Sequence, residues 1–327
     1  MTIRSLCAAA VLALTLPLAA CGSSDDAGSG TWSFTDDVGT EITRDEAPQR
    51  IVAHQDVAVA LADMGLGDLV VGTFGAPDNP DPDLALEPRD LDVDSVEDVT
   101  GGGDYGDIDL EKLAGLEPDL IVTTTFGGGT LWYINDDVAA KLDGTYDIAQ
   151  INLEGEDVNG VVGNSERLAA ALGAEESDFT EGREALAAVG DRLESIAADA
   201  GDPRILVVAP GDDILYVANI PAYSDLAYLR DEVGLDLVTP DESDVDEGGY
   251  WHNVSWENAD VYDADVAMWD SRGGEANLTL LGDQPVWGKV RAAQDEAYLP
   301  WRVESAPSAL GYASTFEKFA DDFEELS

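Results

Sequence analysis

The sequence predicts an α/β protein of two Rossmann-like α/β lobes joined by one long α-helix. Three observations carry this. Strand-like and helix-like segments alternate from Arg50 to Leu326. The strand-like segments are short continuous apolar runs, as in Pro118-Asp-Leu-Ile-Val-Thr123, the pattern of strands buried on both faces of a parallel sheet. Midway, Asp178–Ala200 carries Phe179, Leu186, Val189, Leu193 and Ile196 at helical spacing, with one longer step bridged by alanine. At the standard rise this helix is about 35 Å long, and β/α alternation restarts directly after it.

Each element follows from local chemistry. Thr31–Ile42 reads as a hairpin, with Trp32-Ser-Phe34 alternating and Asp37-Val-Gly39 turning. Arg50–Ala53 is a strand, Val57–Met64 a helix stopped by Gly65, and Leu69–Gly72 the next strand. Leu110–Leu116 is a helix leading into the Pro118–Thr123 strand, followed by strand Asp147–Ile151 and helix Val158–Leu172. Ser177 or Asp178 caps the long helix, and Gly201 ends it before Pro203. The second set comprises strands Arg204–Ala209 and Asp213–Ala218 and helices Tyr223–Val233 and Ser255–Tyr262. Strand Asp265–Trp269, helix Pro285–Ala293, strand Ala297–Trp301 and helix Ala309–Leu326 complete it. The lobes are therefore expected at 32–177 and 201–327, with the interlobe helix at 178–200.

The N-terminus reads as an export signal. Arg4 precedes an apolar run from Leu6 to Ala20, too short to span a bilayer comfortably and ending in small residues. Leu18-Ala19-Ala20-Cys21 looks like a bacterial lipobox, so residues 1–20 are expected to be removed and Cys21 to carry the lipid. Residues 21–31, rich in Gly, Ser and Asp, form a flexible leash. Only Cys7 and Cys21 exist, so the mature chain has no disulfide and no thiol nucleophile.

Charge narrows the partners. With 68 acidic against 16 basic residues the net charge is −52, which excludes nucleic acid and anionic lipid surfaces. The acids are scattered rather than packed in a tail, and read as a solvated shell suited to a salt-rich habitat. No Gly-x-Ser-x-Gly elbow is present, which disfavours the main alternative class, a lipid-anchored hydrolase. Two histidines after the signal, His54 and His252, are too few for direct capture of zinc or manganese. Gly101-Gly-Gly and Gly127-Gly-Gly lack the following Lys-Ser/Thr of a phosphate loop.

Nearly all of the chain after the leash resembles the solute-binding proteins of ABC importers for ferric siderophores, haem and cobalamin. The likeness runs through Phe34-Thr-Asp-Asp-Val-Gly-Thr, Ala47-Pro-Gln-Arg-Ile-Val-Ala and Leu66-Gly-Asp-Leu-Val-Val-Gly. It is clearest in Asp109-Leu-Glu-Lys-Leu-Ala-Gly-Leu-Glu-Pro-Asp-Leu-Ile-Val and returns in Ser255-Trp-Glu-Asn-Ala-Asp-Val-Tyr-Asp-Ala-Asp-Val-Ala. The resemblance implies that the long α-helix is a rigid link, that a ligand is clamped in the cleft between lobes that move little, and that a permease dimer is the partner. It implies permease docking through one glutamate per lobe, Glu111 and Glu257. A ferric siderophore is the expected ligand, with haem or cobalamin as alternatives. The protein is expected to act as a monomer without resident cofactor, held by its lipid on the outer face of the cytoplasmic membrane.

Ligands of such folds meet the loops beyond the carboxyl ends of the strands. His54, Phe74, Tyr105 and Trp132 are the candidates from the first lobe, and Tyr223, Trp251, His252, Trp269, Arg272, Trp301 and Arg302 from the second. Their aromatic content suits a large, flat or greasy chelate. Trp251 and Trp301 match tryptophans of the cobalamin-binding branch. His54 and His252 are expected to face each other across the cleft, as haem ligands or hydrogen-bonding groups. Arg272 and Arg302 are the expected cationic partners of an anionic chelate; with so few bases a catecholate is disfavoured and a hydroxamate or carboxylate siderophore is easier to accommodate.

Overall fold

The computed structural model describes residues 31–75, 83–103, 105–126, 129–303 and 305–326. The export signal, Cys21 and the leash up to residue 30 lie outside them. The first described element is an antiparallel hairpin of β1 (Trp32–Thr35) and β2 (Glu41–Arg44). Asp36 builds its turn by accepting the N–H groups of Val38 and Thr40 at 3.1 and 2.6 Å.

The first lobe contains β3 (Ile51–His54), α1 (Gln55–Asp63), β4 (Val70–Phe74), β5 (Glu97–Asp98), α2 (Leu110–Gly115), β6 (Leu120–Thr125), α3 (Asp136–Leu142) and β7 (Ile148–Asn152). Its sheet is wholly parallel in the order β5-β4-β3-β6-β7. β3 and β6 are buried along their whole length, and each opens on a continuous apolar run, Ile51–Ala53 and Leu120–Val122. Neither β5 nor α3 is among the predicted elements. α3 is set by Asn135, whose side chain caps it by accepting the Val138 N–H at 2.9 Å.

The chain then forms α4 (Val158–Leu172), a 3-10 turn at Glu176–Phe179 and α5 (Thr180–Asp199). The second lobe comprises β8 (Ile205–Pro210), β9 (Ile214–Ala218), α6 (Ser224–Asp231), β10 (Trp251–Ser255), β11 (Val266–Asp270), α7 (Glu275–Gly282), α8 (Arg291–Gln294), β12 (Tyr298–Trp301) and α9 (Ala309–Leu326). Its sheet runs β10-β9-β8-β11-β12, with β8, β11 and β12 parallel and β9 antiparallel to both its neighbours.

Two predicted helices are corrected here. Where Ser255–Tyr262 reads as a helix, the chain runs as β10 to Ser255 and makes a single 3-10 turn at Trp256–Asn258. The strand forms because Trp251–Ser255 pair in register with Ala218–Ile214. The turn is pinned by Trp256, whose indole N–H donates to the Gly211 carbonyl at 3.2 Å. Predicted helix Pro285–Ala293 is a 3-10 turn at Trp287–Lys289 and the short α8, separated by Val290 in an extended conformation. Burial of Trp287 and the bond from its indole N–H to the Tyr298 hydroxyl at 3.1 Å dictate that break.

The lobes are linked by a layer rather than by a flexible hinge. Phe179 packs in the first-lobe core, whereas Leu186, Val189, Leu193 and Ile196 of α5 pack in the second. Each fully buried aliphatic of this kind contributes about 1.5–3 kcal/mol. α4 bridges in the same way, with Val158, Val161 and Val162 in the second core and Leu168, Ala169 and Leu172 in the first. α9 lies along α5, so close that a Cβ on Gly182 would meet the Leu310 backbone N at 2.8 Å. Ahead of α9, Ala306 packs in the first core and Ser308 donates to Asp63 at the end of α1. Arg89 holds the same buried carboxylate through Nε and Nη2 at 2.8 and 2.5 Å.

Candidate ligand-binding cleft

A cavity of about 400 Å³ lies between the lobes, within the range of small-molecule sites. The first lobe contributes Asp56, Thr124, Phe126, Thr130, Trp132 and Leu153 to its wall. The second contributes Tyr223, Asp225, Tyr250, Trp251, Arg272 and Tyr312, among others. Strand ends and helix starts place these groups. Trp132 is anchored beside β6, its backbone N–H donating to Thr124 O at 2.9 Å while Thr123 Oγ1 donates to its carbonyl at 2.8 Å. Tyr223 immediately precedes α6, and Trp251 opens β10.

The aromatic wall is continuous. Tyr223 meets Trp301, Trp251 and Tyr250 edge-to-face, with ring centroids 4.9, 5.5 and 5.7 Å apart. On the other lobe Phe126 and Trp132 meet at 4.8 Å. The two walls touch: Tyr250 packs its ring on Phe126 at 6.2 Å and donates its hydroxyl to the Phe126 carbonyl at 3.3 Å. Burial pushes the Tyr223 and Tyr312 hydroxyls up, so both remain neutral donors at physiological pH.

Charged groups in the wall are few. Arg272 is turned back on Asp270, its Nε 3.0 and 3.1 Å from the two carboxylate oxygens and its Nη2 2.5 Å from Oδ2. Asp225, in the first turn of α6, accepts the Trp301 indole N–H at 2.7 Å. Burial raises its pKa to about 6 despite that bond and despite backbone N–H donors. Asp56 occupies the matching first turn of α1.

Of the predicted ligand residues, Trp132, Tyr223, Trp251 and Arg272 line this cavity. Trp301 lies beneath it, 3 % exposed and bonded to Asp225. Tyr105 stands at the outer rim, 58 % exposed and edge-on to Trp132 at 5.9 Å. The others are placed elsewhere. His54 is the last residue of β3 rather than a loop residue, 2 % exposed between Phe74 and Tyr133. Burial lowers its pKa to about 3, so it is neutral. Phe74 is core beside it. His252 sits on β10 with Nδ1 2.8 Å from the Tyr262 hydroxyl, and so does not face His54 from a loop. Trp269 points to the opposite face of its sheet, among Leu281 and Trp287. Arg302 pairs with Asp322 of α9 at 2.6 Å and lines a separate surface cleft with Lys318. Asp56, Phe126, Leu153, Asp225, Tyr250 and Tyr312 are wall residues missing from the predicted set.

Glu111 and Glu257 are both exposed. Glu111 follows the N-cap Asp109, beside the end of β5 where Lys112 Nζ donates to the Asp98 carbonyl at 2.9 Å. Glu257 lies in the turn held to Gly211, directly after β8. Each is therefore next to a loop leaving the carboxyl edge of its lobe's sheet.

The sequence profile of the periplasmic binding protein family matches residues 51–297. The chain belongs to the periplasmic binding protein family. DesE, a ferric-siderophore receptor protein from Streptomyces coelicolor, is similar at 29 % identity and TM-score 0.76, covering 90 % of this chain and 98 % of DesE. The iron uptake ABC transporter substrate-binding protein PiuA from Streptococcus pneumoniae is similar at 17 % identity and TM-score 0.63, over 92 % of this chain and 100 % of its own. The petrobactin-binding protein YclQ from Bacillus subtilis gives 15 % identity and TM-score 0.63, over 90 % and 99 %. Among curated protein sequences none matches this chain significantly. The two linked α/β lobes and the family match identify a class III periplasmic binding protein, a substrate-binding protein and not an enzyme. The family works outside the cytoplasm. Among the described residues no helix is long and apolar enough to cross a membrane.

Proposed function

We propose that this periplasmic binding protein captures a ferric siderophore outside the membrane and hands it to an ABC-type permease dimer. The observation that carries the reading is the interlobe cavity of about 400 Å³ walled by aromatic rings from both lobes. DesE, the neighbour with 29 % identity, is a ferric-siderophore receptor. Haem is less well served, because neither His54 nor His252 is among the residues of the wall. Glu111 and Glu257 serve as the docking carboxylates, one per lobe, where charge complementarity gives steering and register. A lipid on Cys21 and the leash confine the protein near its permease and raise its effective concentration there.

The test is quenching of intrinsic tryptophan fluorescence by a panel of ferric hydroxamates, ferric catecholates, haem and cobalamin. Trp132 and Trp251 line the cavity and Trp301 lies directly below it, so a bound ferric chelate is expected to quench strongly at micromolar concentration or below. Quenching by cobalamin or haem alone would replace the siderophore reading. Silence with every chelate would overturn it.

A further inference from the structure

The packed layer of α4, α5 and α9 meets the second-lobe sheet on one face, that of Val207, Met268 and Leu299. Links confined to one face leave two lobes free to swing apart about them. A further connection reaches the other face. Residues 83–91 lie between β4 and β5 and are anchored in the first lobe. Leu86 packs against its core, Leu91 is buried in it, and Arg89 holds Asp63 at the end of α1 through two bonds. Arg89 does so at a φ of +41°, a conformation that a residue other than glycine keeps only where its surroundings fix it.

The start of the same segment grips the second lobe. Glu87 accepts the Ser314 hydroxyl at 3.4 Å and stands 3.6 Å from Lys318 Nζ. Ser314 and Lys318 are four residues apart and so share one face of α9. Leu84, three residues earlier, packs against the cluster of Leu206, Val208 and Trp269 on the opposite face of the second-lobe sheet. The segment therefore touches both sides of that sheet. It passes beside the edge strand β12, where Arg302 helps to line a crevice of about 490 Å³ between residues 83–88 and α9. The ion pair is partly exposed and contributes little alone. The hold comes from Leu84, which opposes the swing that links on the α9 face permit.

We infer that residues 83–91 are a strap that limits opening of the cleft and so slows exchange of the ligand. The restraint stands on these contacts; its effect on exchange rests on the ligand-binding reading above. No residue of the strap lines the cavity. Loosening it is therefore expected to change the rates of entry and release together and to leave the equilibrium affinity nearly unchanged.

The experiment loosens the strap and then ties it. Leu84→Ser with Glu87→Gln removes the grip on the second lobe and keeps the Arg89 anchor. Spin labels are placed on Asp143→Cys and Asp283→Cys, exposed positions at the ends of α3 and α7, with Cys7 and Cys21 replaced by serine. Without ligand, loosening should roughly double the width of the interlobe distance distribution measured by electron resonance. Stopped-flow tryptophan quenching with a ferric hydroxamate should show release accelerated about fivefold, with little change in affinity. In a second chain, Glu87→Cys and Lys318→Cys are bridged by a bifunctional thiosulfonate and freed again by reduction. Release should be slower tied than freed, a comparison within one protein that needs no destabilised variant. An unchanged distance distribution in a folded loosened chain overturns the inference. So do equal release rates in the tied and freed chain. Silence with every ferric chelate overturns the ligand reading alone, and the distance distribution then decides the strap.

Discussion

Asp225→Asn is expected to stabilise the unliganded protein at neutral pH, and the size of the effect follows from the site. Burial raises the Asp225 pKa from 3.8 to about 6. A group whose folded pKa lies above its unfolded value stabilises the fold relative to neutral pH only while protonated. That contribution is full below 3.8 and is lost as pH rises through 6. One pKa unit is 1.36 kcal/mol, so at pH 7.5 the ionised carboxylate destabilises the fold by about 3 kcal/mol relative to its protonated form. At pH 5 the penalty is about half of that, because the unfolded aspartate is ionised there while the folded one mostly is not. Asparagine resembles the protonated acid: its carbonyl oxygen still accepts the Trp301 indole N–H, which now comes 2.7 Å from Asp225. Urea unfolding of both proteins at pH 5 and 7.5 is the assay, since urea leaves ionic strength unchanged. The many other carboxylates titrate alike in both chains and cancel in the difference. The variant's advantage should rise by about 1.5 kcal/mol between the two pH values. A constant difference, or a variant less stable at pH 7.5, would refute the reasoning.

Two further perturbations separate closure from delivery. Tyr250→Phe removes the hydroxyl bond to the Phe126 carbonyl across the cleft, a loss of about 0.5–1.5 kcal/mol. Titration by tryptophan quenching should show roughly two- to tenfold weaker binding of a ferric chelate, and Tyr250→Ala should weaken it more by deleting the ring contacts with Phe126 and Tyr223 as well. Replacing both Glu111 and Glu257 by lysine should abolish uptake of radioactive iron by cells while leaving the chelate affinity of the purified protein unchanged. Unimpaired uptake would remove the docking assignment.

The parts of the fold legible in the sequence are those whose environment is uniform. β3 and β6 are buried on both faces, so each opens on an unbroken apolar run of three residues. α5 buries one stripe, so its period survives even in so acidic a chain. β10 escapes a local reading because Trp251-His252-Asn253-Val254-Ser255 mixes polar with apolar residues, and pairing with β9 makes it a strand. Trp132, Tyr223, Trp251 and Arg272 were legible as cavity residues because each adjoins a strand end or helix start. Trp269 was not separable from them, since the face a strand-end residue takes depends on register. Asp225 carries no signal among 68 acidic residues. Tyr312 and Leu153 reach the cavity only because the linking layer holds the lobes together, a relation no local pattern encodes.

As an acid, Asp225 costs the fold more than its partners return. Its first-turn position on α6 favours a negative charge by about 0.3–1 kcal/mol, and the Trp301 N–H favours it further. Burial outweighs both, because the pKa rises rather than falls. An asparagine would satisfy Trp301 without that burden, and natural proteins keep such liabilities where function uses them.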